Sequence, residues 1–497
     1  MPSAKRSAPA SGAYNVGTFE ERQKKYALCI EEIRKVLRNP DKQLELRKEK
    51  LVYYSKDHSH HLHVLPAAAV TPTTVEEVAA IVKICNGLRV PMTPRGAGTG
   101  VEGGAIPYAG GIVIDTNGLT RMDFDEENAC VWVGAGVKKL TLNEECAKRG
   151  LLLGPDPASN PCVGGMVSTS GSGMSTLRYG TTRENVISLK VVTPTGDVML
   201  TRQVVRKSSS GLELTQLYIG SEGTLGVVCE VCFRLFPLTK YSAGGYAAFK
   251  TTGDAVRAVV ALRQRGFPPT LLRCELMNEH NIDSTNKYCK MSLPVTATIL
   301  LEFTSNDLEL RDIKGDYNTV EKIFKEVGHA EVVRYLRPGK EMDDVWNARR
   351  QCYFATMFCR GKAEKVFGTD ICVPISKLTE MVEYTEDVFK RARKKCFICA
   401  HISDGNFHTN IPFTGRQELQ ELHQLETKMI NKAIELGGTV SGEHGIGVGK
   451  VHLVAGEHGQ GHIDVQEAIK KALDRHNVMN PGAFYPSQQQ LYPTAHL

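Results

Sequence analysis

The stretch Pro94-Arg95-Gly96-Ala97-Gly98-Thr99-Gly100-Val101-Glu102-Gly103-Gly104 places five glycines within nine residues, directly after a strand-like run. Backbone N–H groups in such a loop can converge on a phosphate, because glycine permits close approach and positive φ. The loop therefore predicts a pyrophosphate site. A tight surface turn is the alternative interpretation of the same glycines.

Two familiar nucleotide motifs do not explain this loop. Gly98, Gly100 and Gly103 satisfy the spacing GxGxxG, but a Rossmann site needs a helix directly afterwards. The chain instead continues with AIPYAGG, in which Pro107 and two glycines oppose a helix. A P-loop is also excluded, because His444 stands where the motif ending at Gly449-Lys450 requires glycine.

Two further segments rich in small residues favour a large cofactor, because such residues let backbone lie against a flat ring or a phosphate. Each segment alone is equally compatible with a turn. The first segment contains Pro155-Asp156-Pro157-Ala158-Ser159, Gly164-Gly165, Thr169, Ser172-Gly173 and Tyr179-Gly180. The second is Gly220-Ser221-Glu222-Gly223-Thr224-Leu225-Gly226-Val227.

A second chemistry-bearing pattern lies in the last quarter of the chain. His401 and His408 have six residues between them, and a Glu443-His444 pair follows. Zinc and related metals take imidazole nitrogen and carboxylate oxygen, and catalytic sites keep one position open. We interpret His401, His408 and Glu443 as metal ligands and His444 as a general base.

Composition excludes some functions. The 497-residue chain carries a formal net charge of +6, from 61 basic and 55 acidic residues. An excess this small and this evenly spread does not favour nucleic acid. No apolar run approaches the roughly 18 residues that a membrane-spanning helix needs.

Fourteen cysteines without a secretory signal indicate a reducing compartment. The CxxC pairs Cys229/Cys232 and Cys396/Cys399 lie in strand-like runs far apart, so we interpret them as structural rather than as zinc ligands. The cluster His58, His60, His61 and His63 is interpreted as a polar loop rather than an accessory metal site, since only Asp57 accompanies it.

Both chain ends carry address-like features. Ala495-His496-Leu497 follows the small-basic-hydrophobic pattern of a peroxisomal signal, which predicts a peroxisome-type organelle such as a peroxisome or glycosome. The first nineteen residues contain Lys5 and Arg6 and no acid before Glu20, so a mitochondrial transit peptide is the alternative.

Alternating helix and strand patterns divide the chain. We expect an N-terminal helical extension (1–50), an α+β domain (51–240), a second domain with an antiparallel sheet under helices (241–475) and a polar tail (476–497). The run TPTTVEEVAAIVKICNGLRV predicts a helix with a threonine N-cap and Val75, Val78, Ile81 and Val82 on its apolar face.

Six motifs in order resemble the FAD-linked 2-hydroxyacid dehydrogenases of the vanillyl-alcohol-oxidase fold, over residues 50–486. Within that family they are most similar to the cytochrome-type D-lactate dehydrogenases, beside the flavin subunits of glycolate oxidase. The motifs are PRGAGTGVEGG, GGMVSTSGSGMSTLRYGTTRENV, RKSSSGLELTQLYIGSEGTLGVV, HISDGNFH, SGEHGIGVGK and MNPGAFYP.

The resemblance implies an α+β fold. A PCMH-type FAD-binding domain of two α+β subdomains would carry a cap domain, in which helices cover an antiparallel sheet. The C-terminal segment would return to the FAD domain. The residues implied to bind FAD are those of Pro94–Gly100, with Gly103, Gly104, Pro155, Asp156, Gly164, Gly165, Thr169, Ser172, Gly173, Tyr179, Gly180, Glu222, Gly223, Gly226, Val227, Val228 and Asn480.

The resemblance also implies the reaction. A D-2-hydroxy acid, foremost D-lactate, would be oxidised to its 2-oxo acid by hydride transfer to flavin N5. Cytochrome c, another carrier or oxygen would accept the electrons. His401, His408 and Glu443 would bind zinc, manganese or iron. Arg349, in a Trp-x-x-Arg motif, would bind the substrate carboxylate, while His444 acts as base and Asn410 contacts the substrate. A homodimer is left open.

Two departures from the family pattern bear on the substrate and the metal loop. The 2-hydroxyglutarate dehydrogenases of the family carry a lysine two residues before the aspartate that matches Asp370. Gly368 stands there in this chain, which favours a monocarboxylate. Ser403 replaces the usual glycine of HxGDG, from which we expect a local loop adjustment.

Several alternatives remain open. Glycolate and D-2-hydroxyglutarate are alternative substrates. An ether-lipid (alkyl-dihydroxyacetone-phosphate) synthase shares the flavin fold and similar DPAS and SGM segments, but carries consecutive histidines where this chain has Gly442-Glu443-His444-Gly445. An FAD-binding subunit without a substrate is the third alternative.

Overall fold

The computed structural model of the chain describes residues 18–361 and 365–489. A four-stranded sheet in the order β1-β2-β4-β3 comes first, with β2 and β3 both parallel to β4. Its elements are α1 (Phe19–Val36), α2 (Pro40–Gln43), β1 (Leu44–Glu45), α3 (Lys48–Tyr54), β2 (Ala68–Val70), α4 (Val75–Leu88), β3 (Met92–Arg95) and β4 (Ile112–Asp115).

Helix α4 forms where its sequence predicts. The Thr74 side chain accepts a hydrogen bond from the Glu77 backbone N–H, which caps the helix. The predicted apolar positions, among them Val78 and Ile81, are buried against the first sheet. No helix follows β3, and the chain reaches β4 through turns, so the Rossmann alternative is excluded.

A six-stranded antiparallel sheet follows, in which β5-β6-β10-β8-β9 lie in order and β7 pairs with the far end of β10. Its elements are β5 (Met122–Asp125), β6 (Cys130–Gly134), α5 (Lys139–Ala147), β7 (Leu151–Leu153), α6 (Val163–Thr169), α7 (Thr176–Tyr179), α8 (Thr182–Asn185), β8 (Val186–Val192), β9 (Val198–Leu200), α9 (Leu214–Tyr218) and β10 (Val227–Pro237).

The third sheet has eight strands, with β14-β11-β13-β12-β17-β18-β15 in order and β16 also paired to β18. All its pairs are antiparallel. Its elements are β11 (Tyr241–Phe249), α10 (Thr252–Arg265), β12 (Leu271–Met277), α11 (Glu279–Cys289), β13 (Ala297–Ser305), α12 (Arg311–Glu326), β14 (Val332–Leu336), α13 (Lys340–Arg350), α14 (Cys352–Arg360), β15 (Lys365–Gly368), β16 (Ile371–Cys372), α15 (Leu378–Arg391), β17 (Ile398–His401), β18 (Asn406–Phe413) and α16 (Gly415–Glu435).

The predicted α+β class and the antiparallel sheet of the second half are confirmed. One face of the third sheet packs on α10, α12, α15 and α16, whose apolar residues form its core. The ends of β15, β17 and β18 lie toward the first half of the chain. The candidate site forms between them and that half.

Three further helices lie in the last part of the described chain: α17 (Val454–His458), α18 (Gln460–Leu473) and α19 (Pro486–Gln489). Between the last two, Met479 pairs with Met92 of β3, so the chain returns to the first sheet. At the other end, α1 packs on α4 and β1 pairs with β2. The domain boundaries themselves stay predictions.

Within the described ranges, the structure contains no helix long and apolar enough to cross a membrane. The C-terminal tripeptide and the first seventeen residues, which carry the predicted addresses, lie outside those ranges.

Candidate active site

A cavity of about 530 Å³ lies between the glycine-rich loop, α6 and the ends of β15, β17 and β18. Both sequence patterns meet in its wall, although about 300 residues separate them along the chain. The predicted site residues that line it are Pro94, Arg95, Gly96, Ala97, Gly98, Thr99, Gly100, Gly104, Gly164, Gly165, Thr169, Ser172, Glu222, Gly223, Gly226, Val228, Arg349, His401, His408, Asn410, Glu443 and His444.

Eight residues expected to bind FAD do not line this cavity, and their partners explain why. The Asp156 carboxylate pairs with Lys139 at 2.7 Å and Arg273 at 2.6 Å. The Tyr179 ring packs on Phe236, with centroids 4.6 Å apart. The eight residues are Gly103, Pro155, Asp156, Gly173, Tyr179, Gly180, Val227 and Asn480.

Asn480 supports the site from behind. Its Nδ2 donates to the carbonyl oxygens of Gly104 at 2.9 Å and Glu222 at 2.8 Å. It thereby joins the glycine-rich loop to the Gly220–Val227 segment. A motif match identifies such a segment but not the direction of each side chain.

The glycine-rich loop has the shape that a long, flat cofactor requires. Gly98 has φ +68°, and a Cβ there would lie 2.0 Å from Nη2 of Arg95, so glycine is favoured at this position. Arg95 itself donates to the Lys56 carbonyl at 2.7 Å, and thus fixes the loop from inside. A Cβ on Gly165 would meet no atom within 4 Å, which leaves backbone open to the cavity. These residues fit FAD.

The three predicted metal ligands come together. Ligand atoms of His401, His408 and Glu443 lie within 4.8 Å of one another. Glu443 Oε1 is 3.2 Å from Nε2 of each histidine. Ser172 Oγ donates to the other oxygen of Glu443 at 2.5 Å. Two imidazoles and a carboxylate that converge in this way fit a divalent cation.

Outer groups orient both imidazoles, as they do around metal ligands generally. His401 Nδ1 lies 2.8 Å from Glu275 Oε1, and His408 Nδ1 lies 3.2 Å from the Thr369 carbonyl. Each histidine is thereby turned so that Nε2 faces Glu443. Burial alone would lower the pKa of His401, but the carboxylates of Glu275 and Glu443 raise it well above its ordinary value.

Glu275 also pairs with the predicted substrate-binding arginine. Its Oε2 accepts from Nη2 of Arg349 at 2.6 Å and from Nε at 3.1 Å. Both side chains are almost fully buried, at 2% and 4% exposure. The remaining nitrogen, Nη1, lies 3.6 Å from the thiol of Cys352 at the cavity wall. Glu275 therefore occupies the Nε–Nη2 edge of the Arg349 guanidinium.

Asp370 holds the loop that carries Glu443. Its Oδ2 accepts from the backbone N–H groups of Glu443 and His444, each at 2.8 Å, and from Ser441 Oγ at 3.0 Å. Asn406 donates to its Oδ1 at 2.8 Å. A fully buried carboxylate with four donors fixes this loop against β16 and β18.

His444 lies beside the predicted ligands His401, His408 and Glu443. With Asp370 and His408 it forms a second group whose ligand atoms lie within 4.8 Å of one another. Its ring stacks on that of His408, with centroids 4.8 Å apart and planes 12° from parallel. Its buried Nδ1 has no hydrogen-bond partner in the described structure and lies 4.0 Å from Glu102. Burial lowers the pKa of His444 to about 4, although the Asp370 carboxylate opposes this. The neutral imidazole can accept a proton near neutral pH.

The remaining sequence expectations concern other histidines and cysteines. His60 and His61 line the cavity, but neither belongs to the two potential metal clusters found among the described residues. Burial lowers the pKa of His60 to about 3. Of the two CxxC pairs, Cys399 is the member that reaches the cavity, and its thiol faces Cys352.

The sequence analysis did not identify Glu275 or Cys352 as site residues. It used Asp370 only to align Gly368 with the family pattern. Lys450 and Glu102, paired at 3.1 Å behind His444, were also missed as a buried pair. Each lies far along the chain from its partners. A charged residue inside an apolar strand run, as Glu275 is in LLRCELM, is the one available signal.

Known protein families and relatives match most of the chain. Residues 66–202 match the family described as FAD binding domain, and residues 238–484 match FAD linked oxidases, C-terminal domain. A zebrafish protein named probable D-lactate dehydrogenase is 33% identical over 435 residues, covering 86% of each chain. The Arabidopsis thaliana D-lactate dehydrogenase [cytochrome] is 34% identical, covering 88% of this chain and 77% of that one.

Further matches extend the family and the fold. The glycolate oxidase subunit GlcD of Bacillus subtilis is 31% identical, covering 87% of this chain and 92% of its own. Among solved structures, p-cresol methylhydroxylase superposes with a TM-score of 0.71 at 17% identity, covering 92% and 96% of the two chains. An alkyldihydroxyacetonephosphate synthase gives 0.70 at 19%, covering 97% and 89%. The two structures show the shared fold.

The sequence matches extend over both halves of the chain, and the cavity between those halves fits FAD. The chain therefore belongs to the FAD-linked oxidases, the flavoenzyme family that includes D-lactate dehydrogenases and the glycolate oxidase subunit GlcD.

Proposed function

We propose that this flavoenzyme oxidises a D-2-hydroxy acid to the corresponding 2-oxo acid, with D-lactate as its substrate and pyruvate as its product. The observation that carries the proposal is the convergence of His401, His408 and Glu443 with Arg349 and His444 in the wall of one glycine-lined cavity. The names of the zebrafish and Arabidopsis relatives support the same substrate.

The residues divide the chemistry among themselves. When bound, FAD would supply the hydride acceptor, and a divalent metal held by His401, His408 and Glu443 would supply a Lewis acid. His444, neutral because burial lowers its pKa, takes the hydroxyl proton. Nη1 of Arg349 binds the substrate carboxylate, since Glu275 occupies the other two nitrogens. Asn410, on the cavity wall, orients the substrate.

The monocarboxylate preference rests on Gly368. A Cβ at this position would meet only the Asn410 side chain, at 3.8 Å, so the space beyond it is open. No cation from this position faces a second carboxylate of the substrate. In the peroxisome-type compartment that the terminal tripeptide predicts, oxygen or an unidentified carrier accepts the electrons. A cytochrome acceptor, which the Arabidopsis relative's name suggests, belongs to the alternative mitochondrial location. The compartment follows from the terminal tripeptide and stays a proposal.

The test is anaerobic mixing of the FAD- and metal-loaded protein with D-lactate, L-lactate, glycolate and D-2-hydroxyglutarate, while flavin absorbance is followed. Rapid bleaching by D-lactate, with slow or no bleaching by L-lactate, is expected. Bleaching by D-2-hydroxyglutarate in preference to D-lactate would contradict the monocarboxylate assignment. Bleaching by none of the four would overturn the proposed function.

A further inference from the structure

Two cysteines face each other in the wall of the active-site cavity. Cys352 is the first residue of α14, and Cys399 lies in β17, two residues before His401. Their sulfur atoms are 3.5 Å apart. Both side chains are buried, at 6% and 2% exposure, yet both line the cavity. A small molecule that enters the cavity can therefore reach a pair of thiols already in contact.

The surroundings of this pair favour a nucleophilic thiolate at Cys352. Nη1 of Arg349 lies 3.6 Å from its sulfur, and a neighbouring guanidinium stabilises a thiolate. The hydrogen bond from the Cys399 thiol lowers the pKa of Cys352, as does the charge of Arg349, although burial opposes this. Cys352 is thus the attacking sulfur and Cys399 the resolving one.

A second close pair elsewhere in the chain lacks these features. The sulfur atoms of Cys29 and Cys85 are 3.6 Å apart, almost the same separation. Both residues are fully buried in the core between α1 and α4, and neither lines the cavity. The two thiols are thus close together in both pairs. Only the pair Cys352 and Cys399, of these two, lines the cavity and has a guanidinium beside it.

We propose that Cys352 and Cys399 form a reversible disulfide that inactivates the enzyme when a peroxide enters the cavity. The Cys352 thiolate attacks one peroxide oxygen, the O–O bond breaks, and a sulfenic acid and a hydroxide result. The hydroxide takes up the proton that the Cys352 thiol released and becomes the first water. The Cys399 sulfur then displaces the sulfenic oxygen, which leaves as a second water. The two thiols lose two electrons and two protons, and hydrogen peroxide is reduced to water.

Closing the bond moves the parts that hold the substrate. A disulfide is about 2.05 Å long, so the sulfur atoms must approach by roughly 1.5 Å from their present 3.5 Å. Arg349 precedes Cys352 by three residues, and His401 follows Cys399 by two. A misplacement of about 1 Å at an active site can cost on the order of 10²-fold in rate. Oxidation therefore lowers turnover, and a dithiol reductant restores it.

The experiment treats FAD-loaded protein with a small excess of hydrogen peroxide, blocks remaining thiols by alkylation and identifies cross-linked tryptic peptides by tandem mass spectrometry. The tryptic peptides that carry Cys352 and Cys399 also carry Cys359 and Cys396, so fragmentation must locate the bond. Cys399→Ala removes the resolving thiol. Cys85→Ala is the matched control, because it breaks the sealed pair. Flavin bleaching by D-lactate, relative to each untreated protein, gives the second readout.

The expected result is a Cys352–Cys399 cross-link in the wild type and in Cys85→Ala. Both should lose on the order of 10- to 100-fold in bleaching rate and recover it in dithiothreitol. Cys399→Ala should give no cross-link, and its loss should not be reversed, since Cys352 then oxidises further. Intact, alkylated Cys352 and Cys399 in treated wild type would overturn the proposal. So would a Cys29–Cys85 cross-link of equal yield, because cavity access would then not select the pair.

Discussion

The carboxylate of Glu275 accepts two hydrogen bonds from Arg349, at 2.6 Å and 3.1 Å, and its other oxygen lies 2.8 Å from His401 Nδ1. One buried side chain thus sets the orientation of a predicted metal ligand and of the predicted substrate-binding arginine. The residue lies in β12 and connects the group of predicted metal ligands to the arginine predicted to bind the substrate carboxylate.

Glu275→Gln should weaken both functions. An amide oxygen can satisfy one of the two partners, while the amide NH₂ faces the other donor. Loss of such an outer contact typically costs about 10- to 100-fold in metal affinity. Metal titration and the KM for D-lactate should both change. Glu302→Gln is the control, since Glu302 pairs with Arg273 at 2.7 Å in the adjacent strand, away from the metal cluster. Equal metal affinity in the two variants would contradict this role.

His444→Ala should leave FAD bound and reduce turnover. General base catalysis contributes about 10²–10⁴-fold, so kcat should fall by at least the lower figure. Flavin content measures the cofactor, and anaerobic bleaching measures the chemical step. His462→Ala, on helix α18 outside the cavity lining, serves as the control. A bleaching rate within a few-fold of the wild type would exclude His444 as the base.

Gly368→Lys should move the substrate preference toward a dicarboxylate. The Cβ would meet only Asn410, at 3.8 Å, and a lysine there would place an ammonium group in the cavity. The ratio of kcat/KM for D-2-hydroxyglutarate to that for D-lactate should rise by tenfold or more, as one added ion pair of about 1.4 kcal/mol implies. In Gly315→Lys, which also has open space around its Cβ, the ratio should stay constant. A fall in both activities without a change of ratio would count against the assignment.

Gly165→Leu should expel the cofactor while the fold persists. The position lies in α6 with nothing within 4 Å of a built Cβ, and its open side faces the cavity. Flavin absorbance relative to protein absorbance should drop sharply in the purified variant. Gly87→Leu in α4 is a matched control, because its Cβ is equally unobstructed but lies outside the cavity lining. Full flavin content in Gly165→Leu would place the isoalloxazine and phosphates elsewhere.

Glu102→Gln should change how stability depends on pH. Burial raises the pKa of Glu102 to about 8 from 4.5, although Lys450 at 3.1 Å opposes this. Between those two pH values the folded state holds a proton that the unfolded state releases, so this group makes stability fall as pH rises. The variant lacks that proton.

The measurement is the free energy of unfolding of the FAD-loaded protein across this pH range. As pH rises through this range, the free energy of unfolding of the variant should increase relative to that of the wild type. The slope of this difference against pH should correspond to up to about one proton. His444 and Lys450, which face Glu102, are common to both proteins, so their titration largely cancels. A difference that does not change with pH would show that Glu102 is ionised in the fold.

Much of the architecture follows from local sequence. The Thr74 cap and the spacing of Val75, Val78, Ile81 and Val82 define α4, because helix capping and apolar periodicity act within a few residues. Pro107 and its neighbouring glycines exclude a helix after the glycine-rich loop for the same local reason. His401, His408 and Glu443 were also predicted as a set, and the structure brings their ligand atoms together.

Tertiary structure alone decided the rest. Glu275 lies 74 residues from Arg349 and 126 from His401, and Cys352 lies 47 from Cys399. No local pattern links such pairs. Antiparallel pairing of β12 with β17 brings Glu275 to His401, whereas Arg349 and Cys352 come from helices α13 and α14. Asp156 and Tyr179 lie in a segment typical of cofactor binding, yet do not line the cavity. Sequence thus determined which segments surround the cofactor, and sheet packing determined which side chains reach it, since side-chain direction depends on contacts between distant strands.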